Sequence, residues 1–323
     1  MQPPRSADPA TILCVTPNPA LDRVILVRGL QPGQSSTGQH TLTVAAGKGV
    51  STARAVRALG GDPLCAGFLG GDYGAYYEEL LQQEGLKTAW TRLESPDAET
   101  RTTFVIVDPD TGRSTVLNEP GPTVSADDWA RLHADVMRES AQAKVVSFSG
   151  SLPAGSPLDS FAHLIEALGS AGRSAWVDTS GEPLRAAVAA CPAALKVNGA
   201  EAGSLLGMTV NGTETAILAA NELRQRRIGV VVISLGELGA ILACNAGNWW
   251  AQPPTITVAS AVGSGDSLLA GIMCGTADGI DLPDALRRGV AAGGANALSL
   301  GAGQFSSRDF EAVLAATTLL RIG

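Results

Sequence analysis

Short apolar runs alternate with longer stretches of helical spacing along most of the chain. The runs at 12–16, 64–69, 145–149, 175–178, 195–198 and 230–235 are mostly β-branched and end in a small or polar residue, which predicts strands. The stretches 48–59, 73–84, 126–139, 158–171, 213–227, 264–279, 283–300 and 308–319 carry the spacing of helices. Strand followed by helix, repeated, predicts a three-layer, doubly wound α/β fold with a mostly parallel sheet covered on both faces. Two regions break the pattern. Residues 23–45 and 99–118 read as short strands joined by turns, and Asp108-Pro-Asp-Thr-Gly112 is a strong hairpin signal between two such strands. The expectation is one large unit over 1–323 with a small, discontinuous β lid.

Composition narrows the class of protein. Apolar residues make up 45% and charged residues 17%, enough to build a core and too few charges for disorder. The net charge of −8 and the lack of a Lys/Arg-rich run argue against a nucleic-acid partner. Any phosphate would have to be held by local basic groups or backbone amides. The five cysteines have no C-x-x-C spacing and sit in apolar contexts, so they read as buried free thiols suited to the cytoplasm. Residues 1–10 lack the apolar segment of a signal peptide. No run of about 18 apolar residues predicts a membrane span. Three scattered histidines give no zinc spacing.

Five segments carry candidate chemistry. In Ser260-Ala-Val-Gly-Ser-Gly-Asp-Ser267 a small-residue turn opens an apolar helix, so the amides of Gly263, Ser264 and Gly265 form an anion site with Asp266 beside it. A carboxylate there suits a base acting next to a transferring phosphoryl group, although a helix cap would use the same residue. Ala45-Ala-Gly-Lys-Gly-Val-Ser-Thr52 offers amides, Lys48 and hydroxyls at a second helix start; it is not a Walker A loop. In Lys196-Val-Asn-Gly-Ala-Glu201, Asn198 and Glu201 could both face a hydrated Mg²⁺, or simply cap a helix. Ser234-Leu-Gly-Glu-Leu-Gly239 follows a buried strand at the end where open α/β sheets bind ligands. Asn18-Pro-Ala-Leu-Asp22 places a carboxylate after the first strand, where it could hold sugar hydroxyls. Arg101 and Asn118-Glu-Pro-Gly-Pro122 lie beside the hairpin region.

In order and spacing these segments resemble the ribokinase-like (phosphofructokinase B) family of sugar kinases over nearly the whole chain. The resemblance implies a catalytic base at Asp266 and an anion hole from Gly263, Ser264 and Gly265. It implies nucleotide and magnesium contacts at Lys196, Asn198 and Glu201, with Mg²⁺ held through water. Ser234, Gly236, Gly239 and Asn296 would belong to the nucleotide site. Asp22, Gly47, Lys48, Gly49, Ser51, Arg101 and Ser149 would hold the sugar, with Lys48 and Arg101 reaching an acceptor phosphate. Ser149-Gly-Ser-Leu-Pro-Ala-Gly155, Asp178-Thr-Ser-Gly-Glu182 and Asn118-Glu-Pro-Gly-Pro122 are similar to the branch of 1-phosphofructokinases and tagatose-6-phosphate kinases, and favour fructose 1-phosphate as acceptor. ATP and Mg²⁺, with a monovalent cation such as K⁺ as an option, are the implied cofactors. A homodimer through the edges of the lid is the expected assembly. The chain departs from the branch at Ala46 and Ser51, where Gly and Asn are usual, at Gln34 and Ser36, where basic residues are frequent, and at Ser260-Ala261. A kinase of an unphosphorylated sugar or nucleoside, or a non-catalytic binding protein on the same fold, remain open readings of the same residues.

Overall fold

Successive side chains along the apolar runs enter two separate cores. Leu13, Val15, Val146, Phe148, Leu195, Val197, Val231 and Ile233 point to one side, while Ile12, Cys14, Val145, Ala194 and Val232 point to the other. Both faces are buried, which is why these strands read as unbroken apolar segments. The computed structural model describes residues 11–31 and 33–322. The signal-peptide reading of residues 1–10 lies outside them. In chain order the first half holds β1 (Thr11–Thr16), β2 (Ala20–Leu26), β3 (His40–Ala46), α1 (Lys48–Ala58), β4 (Asp62–Leu69), α2 (Gly71–Gln83), β5 (Lys87–Arg92), β6 (Arg101–Val107), β7 (Ser114–Asn118) and α3 (Ala126–Ser140). The second half holds β8 (Val145–Ser149), α4 (Leu158–Ser170), β9 (Ala175–Asp178), α5 (Gly181–Ala189), β10 (Ala194–Asn198), α6 (Gly199–Leu206), α7 (Thr213–Gln225), β11 (Val230–Ser234), β12 (Ala240–Cys244), β13 (Gly247–Gln252), α8 (Ser264–Ala277), α9 (Leu282–Ala297), α10 (Ser307–Ala316) and β14 (Thr318–Ile322).

The large sheet has ten strands in the order β14-β13-β12-β11-β10-β9-β8-β1-β4-β5. From β11 to β5 all neighbours are parallel; β12, β13 and β14 extend it antiparallel. The chain builds outward from β1 to β4 and β5 on one side, and later from β8 on the other. The crevice between β1 and β8 is therefore the switch point, where ligands bind at the carboxyl ends of the strands. Trp129 of α3, Phe161 and Leu164 of α4 and Leu223 of α7 fill the core on one face. Val50 and Val56 of α1, Leu269 and Met273 of α8 and Val290 of α9 fill the other.

The predicted hairpin region is a second sheet of four strands, β3-β2-β6-β7. It covers 20–46 and 101–118, a little wider at its first boundary than expected. The helix read over 308–319 stops at Ala316, and Thr318–Ile322 instead pairs with β13 as an edge strand. Likewise the helix read to residue 300 ends at Ala297. Four cysteines are buried; Cys191 is partly exposed, on a turn with φ of 51°.

Candidate active site

Four side chains form one row across the carboxyl ends of the parallel strands, on the α1/α8 side. They are Thr16 (β1), Ser149 (β8), Asp178 (β9) and Lys196 (β10), and register alone places Ser149 directly across from Asp178. Asp178 is fully buried, with Lys196 Nζ 2.7 Å from Oδ2 and Lys48 Nζ 3.1 Å from Oδ1. Burial alone would raise its pKa, but the two ammonium groups and their hydrogen bonds outweigh that and hold it below the ordinary carboxylate value. The hydroxyls of Thr16 and Ser149 are buried with no partner among the described residues. Groups of this kind call for a polar ligand or water.

Above this row, α8 begins without a side-chain cap. Gly263 adopts φ of 82° to make the turn. A side chain at Gly265 would place its Cβ 2.8 Å from Lys196 Nζ. That close approach is what lets the buried lysine sit under the helix start. Of the three amides expected to form the anion site, that of Ser264 instead donates to Ala261 O (3.2 Å), whereas those of Gly265 and, one residue further on, Asp266 have no backbone or side-chain acceptor among the described residues. Unpaired amides at the positive end of a helix dipole form an anion site. Asp266 is 8% exposed, and its pKa is pushed up to about 7. Burial is the largest cause and the Asp178 charge adds to it, while Lys196 and Lys48 pull it back.

Asn296, expected among the nucleotide contacts, lies behind this turn at 0% exposure. Its Nδ2 donates to Val262 O (2.8 Å) and Ser264 Oγ (3.3 Å), and its Oδ1 accepts from Ser267 Oγ (3.2 Å) and Gly303 N (2.7 Å). With every hydrogen-bonding atom engaged, this side chain braces the anion site from within.

The sugar-side residues gather where the two sheets meet. Asp22 on β2 is flanked in register by Val44 and Thr103. Desolvation raises its pKa to about 6, against the opposing pull of Arg101. Arg101 donates weakly to Asn18 O (3.3 Å) and Glu119 O (3.4 Å), and its Nε is buried without a partner among the described residues. Burial lowers its pKa, with Asp22 working the other way. Gly47 precedes α1, and Gly49 presses on β1 so closely that a Cβ would meet Thr16 Oγ1 at 2.3 Å. Ser51 is 6% exposed in the first turn of α1. Lys48, expected near an acceptor phosphate, instead turns its ammonium to Asp178, with Glu201 Oε1 at 4.0 Å. Gln34 and Ser36 are on an exposed loop.

On the nucleotide side Asn198 and Glu201 form a capping box on α6, Asn198 Oδ1 accepting from Glu201 N (2.9 Å) and Glu201 Oε2 from Asn198 N (2.8 Å). The cap leaves Glu201 Oε1 free to face Lys48. Among the described residues there is no cluster of three or more His, Cys, Asp or Glu side chains suited to a metal. One carboxylate beside a phosphate site fits hydrated Mg²⁺, which takes most of its ligands from phosphates and water. Ser234 ends β11, and Gly236 and Gly239 bound a single 3₁₀ turn before β12. A cleft of about 270 Å³ runs between α5 and α6, past Asn198 and Glu201. A larger cavity of about 650 Å³, at the amino ends of β8 to β11, contains none of these groups. Asp178 is the group that the sequence reading left without a role. It was visible inside Asp178-Thr-Ser-Gly-Glu182, but only the register of β9 with β10 and the packing of the start of α1 put it between Lys196 and Lys48.

A switch-point crevice with an uncapped helix start, a carboxylate poised near neutrality and two lysines defines a phosphoryl-transferring α/β enzyme. Residues 16–308 match the pfkB family of carbohydrate kinases, and the chain belongs to that family. It is 35% identical to a 1-phosphofructokinase of Rhodobacter capsulatus over 90% of each chain. It is 33% identical to a 1-phosphofructokinase of Escherichia coli K12, over 82% of this chain and 83% of that one. Among solved structures it is similar to phosphofructokinase-2 of Escherichia coli. The complex with fructose-6-phosphate has TM-score 0.86 at 28% identity, and the complex with potassium has TM-score 0.88 at 27% identity. Each covers 95% of this chain and 98% of that one.

Proposed function

We propose that this protein transfers the γ-phosphoryl group of ATP to a free hydroxyl of fructose 1-phosphate. The observation that carries the reading is the Gly263–Asp266 turn, where free amides adjoin a buried carboxylate that titrates at about 7. Such a carboxylate is ionised enough at neutral pH to accept a proton and basic enough to do so effectively. Asp266 takes the proton of the acceptor hydroxyl as its oxygen bonds to the γ-phosphorus. The bond from that phosphorus to the ADP oxygen breaks, and the electron pair leaves with ADP. The amides of Gly265 and Asp266 hold charge developing on the transferred group. Lys196, fixed by Asp178 under the turn, adds positive charge. Lys48 lies on the nucleotide side of the same network. Asp22 holds sugar hydroxyls and Arg101, with its buried free Nε, takes the acceptor phosphate. Mg²⁺, which would sit near Glu201, supplies charge neutralisation between nucleotide phosphates. The four-stranded sheet acts as a lid that excludes water from the crevice.

The test is ADP release with Mg-ATP and a panel of fructose 1-phosphate, tagatose 6-phosphate, fructose 6-phosphate, fructose and ribose, with and without K⁺. Turnover is expected chiefly with fructose 1-phosphate, and the Asp266→Asn variant is expected to lose about 100-fold or more in kcat. A neutral sugar that outcompetes every sugar phosphate would overturn the acceptor assignment. Near-normal turnover by the variant would remove Asp266 from its role.

A further inference from the structure

We infer that Arg54 and Tyr77, which belong to none of the sequence motifs, are positioning residues that fix the acceptor side of the site at the junction of lid and body. The inference rests on the kinase reading above. Strand β3 carries the lid through Gly47 into the first turn of α1, and its last residues, Ala45 and Ala46, pair with Leu21 and Ala20 of β2. Asp22 is the next residue along β2. The carbonyls of Ala45 and Ala46 are thus the final points at which this strand can be anchored before Gly47 opens α1. Arg54 Nη2 donates to Ala45 O at 2.7 Å, and Tyr77 Oη donates to Ala46 O at 2.8 Å.

Both donors are themselves locked. Arg54 is 3% exposed and forks onto Glu84, with Nε 2.7 Å from Oε2 and Nη2 2.6 Å from Oε1. Glu84 is the C-cap residue of α2. Tyr77, fully buried, stands edge-on to Trp90 at 5.5 Å. Helices α1 and α2 and the lid strand therefore meet at two hydrogen bonds. A buried guanidinium is a costly way to fill space, and apolar packing would serve α1 as well or better. What the planar fork adds is direction, since it aims one donor at one carbonyl. The same turn of α1 is held from the far side by the loop that Asn296 supports, because Gly303 packs on Ser51 O and Arg54 Cβ. Neither Arg54 nor Tyr77 has a hydrogen bond to Asp178, Lys196 or Asp266, so their effect should divide acceptor from nucleotide.

The experiment is steady-state kinetics of Tyr77→Phe, which removes one oxygen at constant shape, with fructose 1-phosphate and Mg-ATP varied in turn. The KM for fructose 1-phosphate is expected to rise about five- to tenfold, the scale of one lost hydrogen bond, with the KM for ATP within about twofold of the parent. Arg54→Lys, which keeps charge and loses the fork, is expected to shift the same constant in the same direction. A lowered Tm with both KM values unchanged would make these residues structural only and sink the inference, as would equal rises in both. Parent enzyme that turns over a sugar phosphate while Tyr77→Phe is unaffected overturns this inference alone; parent enzyme inert toward the whole panel overturns it together with the kinase reading.

Discussion

At the scale of single residues, the site is organised around one deliberate conflict. Asp178 and Asp266 are buried near each other, and only Asp178 has its ammonium partners in direct contact. The environment pushes the two carboxyls apart in pKa, which separates a charged anchor from a carboxyl that titrates near neutrality. Activity should therefore fall as pH drops through about 7, where Asp266 gains its proton. In Asp178→Asn the like charge is gone and both lysines are released, and each change favours ionised Asp266. The acid limb of the kcat profile is expected to move to lower pH; a limb that stays in place or moves upward would contradict the arrangement. Stability carries the opposite sign. Asp266 has a folded pKa above its ordinary 3.8, so the native state binds the extra proton, and stability declines as pH rises from that value through about 7. The Asp266→Asn variant is accordingly expected to gain Tm over the parent at pH 8 and to gain much less at pH 5, measured by thermal melts at both pH values.

At the scale of elements, the Gly263–Asp266 turn is held by a neighbour in space. Asn296 on α9 satisfies Val262 O, Ser264 Oγ, Ser267 Oγ and Gly303 N from a single amide. Asn296→Ala strands those groups, and each buried unpaired group costs about 1–3 kcal/mol. Its kcat is expected to fall at least about tenfold with a lowered Tm, while Asn296→Gln, which keeps the amide at the wrong reach, recovers stability less than a surface Asn→Gln control would. Unchanged kcat in Asn296→Ala would mean that the turn keeps its shape unaided. Elements buried on both faces were plain in the sequence, because a run such as Val230–Ser234 has no solvent face to interrupt it. Edge elements were not. Leu319 and Leu320 extend the helical spacing of α10, and only their pairing with Ala251 and Trp250 of β13 makes them strand. Strand β5 and helix α5 were likewise missed, as short segments with mixed polarity. The site follows the same division. The glycine-rich turn and Asp266 announce themselves locally, whereas the role of Asp178 and the bracing by Asn296 arise from contacts between segments distant in sequence.

At the scale of the whole molecule, the four-stranded sheet leaves apolar surface open to solvent. A row of apolar side chains, Leu42, Val24, Val105 and Val116, crosses all four strands beside the row that carries Asp22 and Thr103. Its ends are open to solvent, Leu42 at 53% and Val116 at 50% exposed. Leaving such a band in water forfeits the stabilisation that covering it would bring. A second copy of the chain, laying its own lid across this one, would bury the band and shield the acceptor side of both sites, and we propose this homodimer as the working form. Replacing Leu42 and Val116 together by Glu places like charges across the symmetric contact. The expected result is a shift to the monomer mass in sedimentation or light scattering, together with a rise in the KM for acceptor, since the lid then loses its cover. A parent protein that is monomeric at assay concentration, or a variant that stays dimeric, would place any assembly on another face and leave closure of the lid to the single chain.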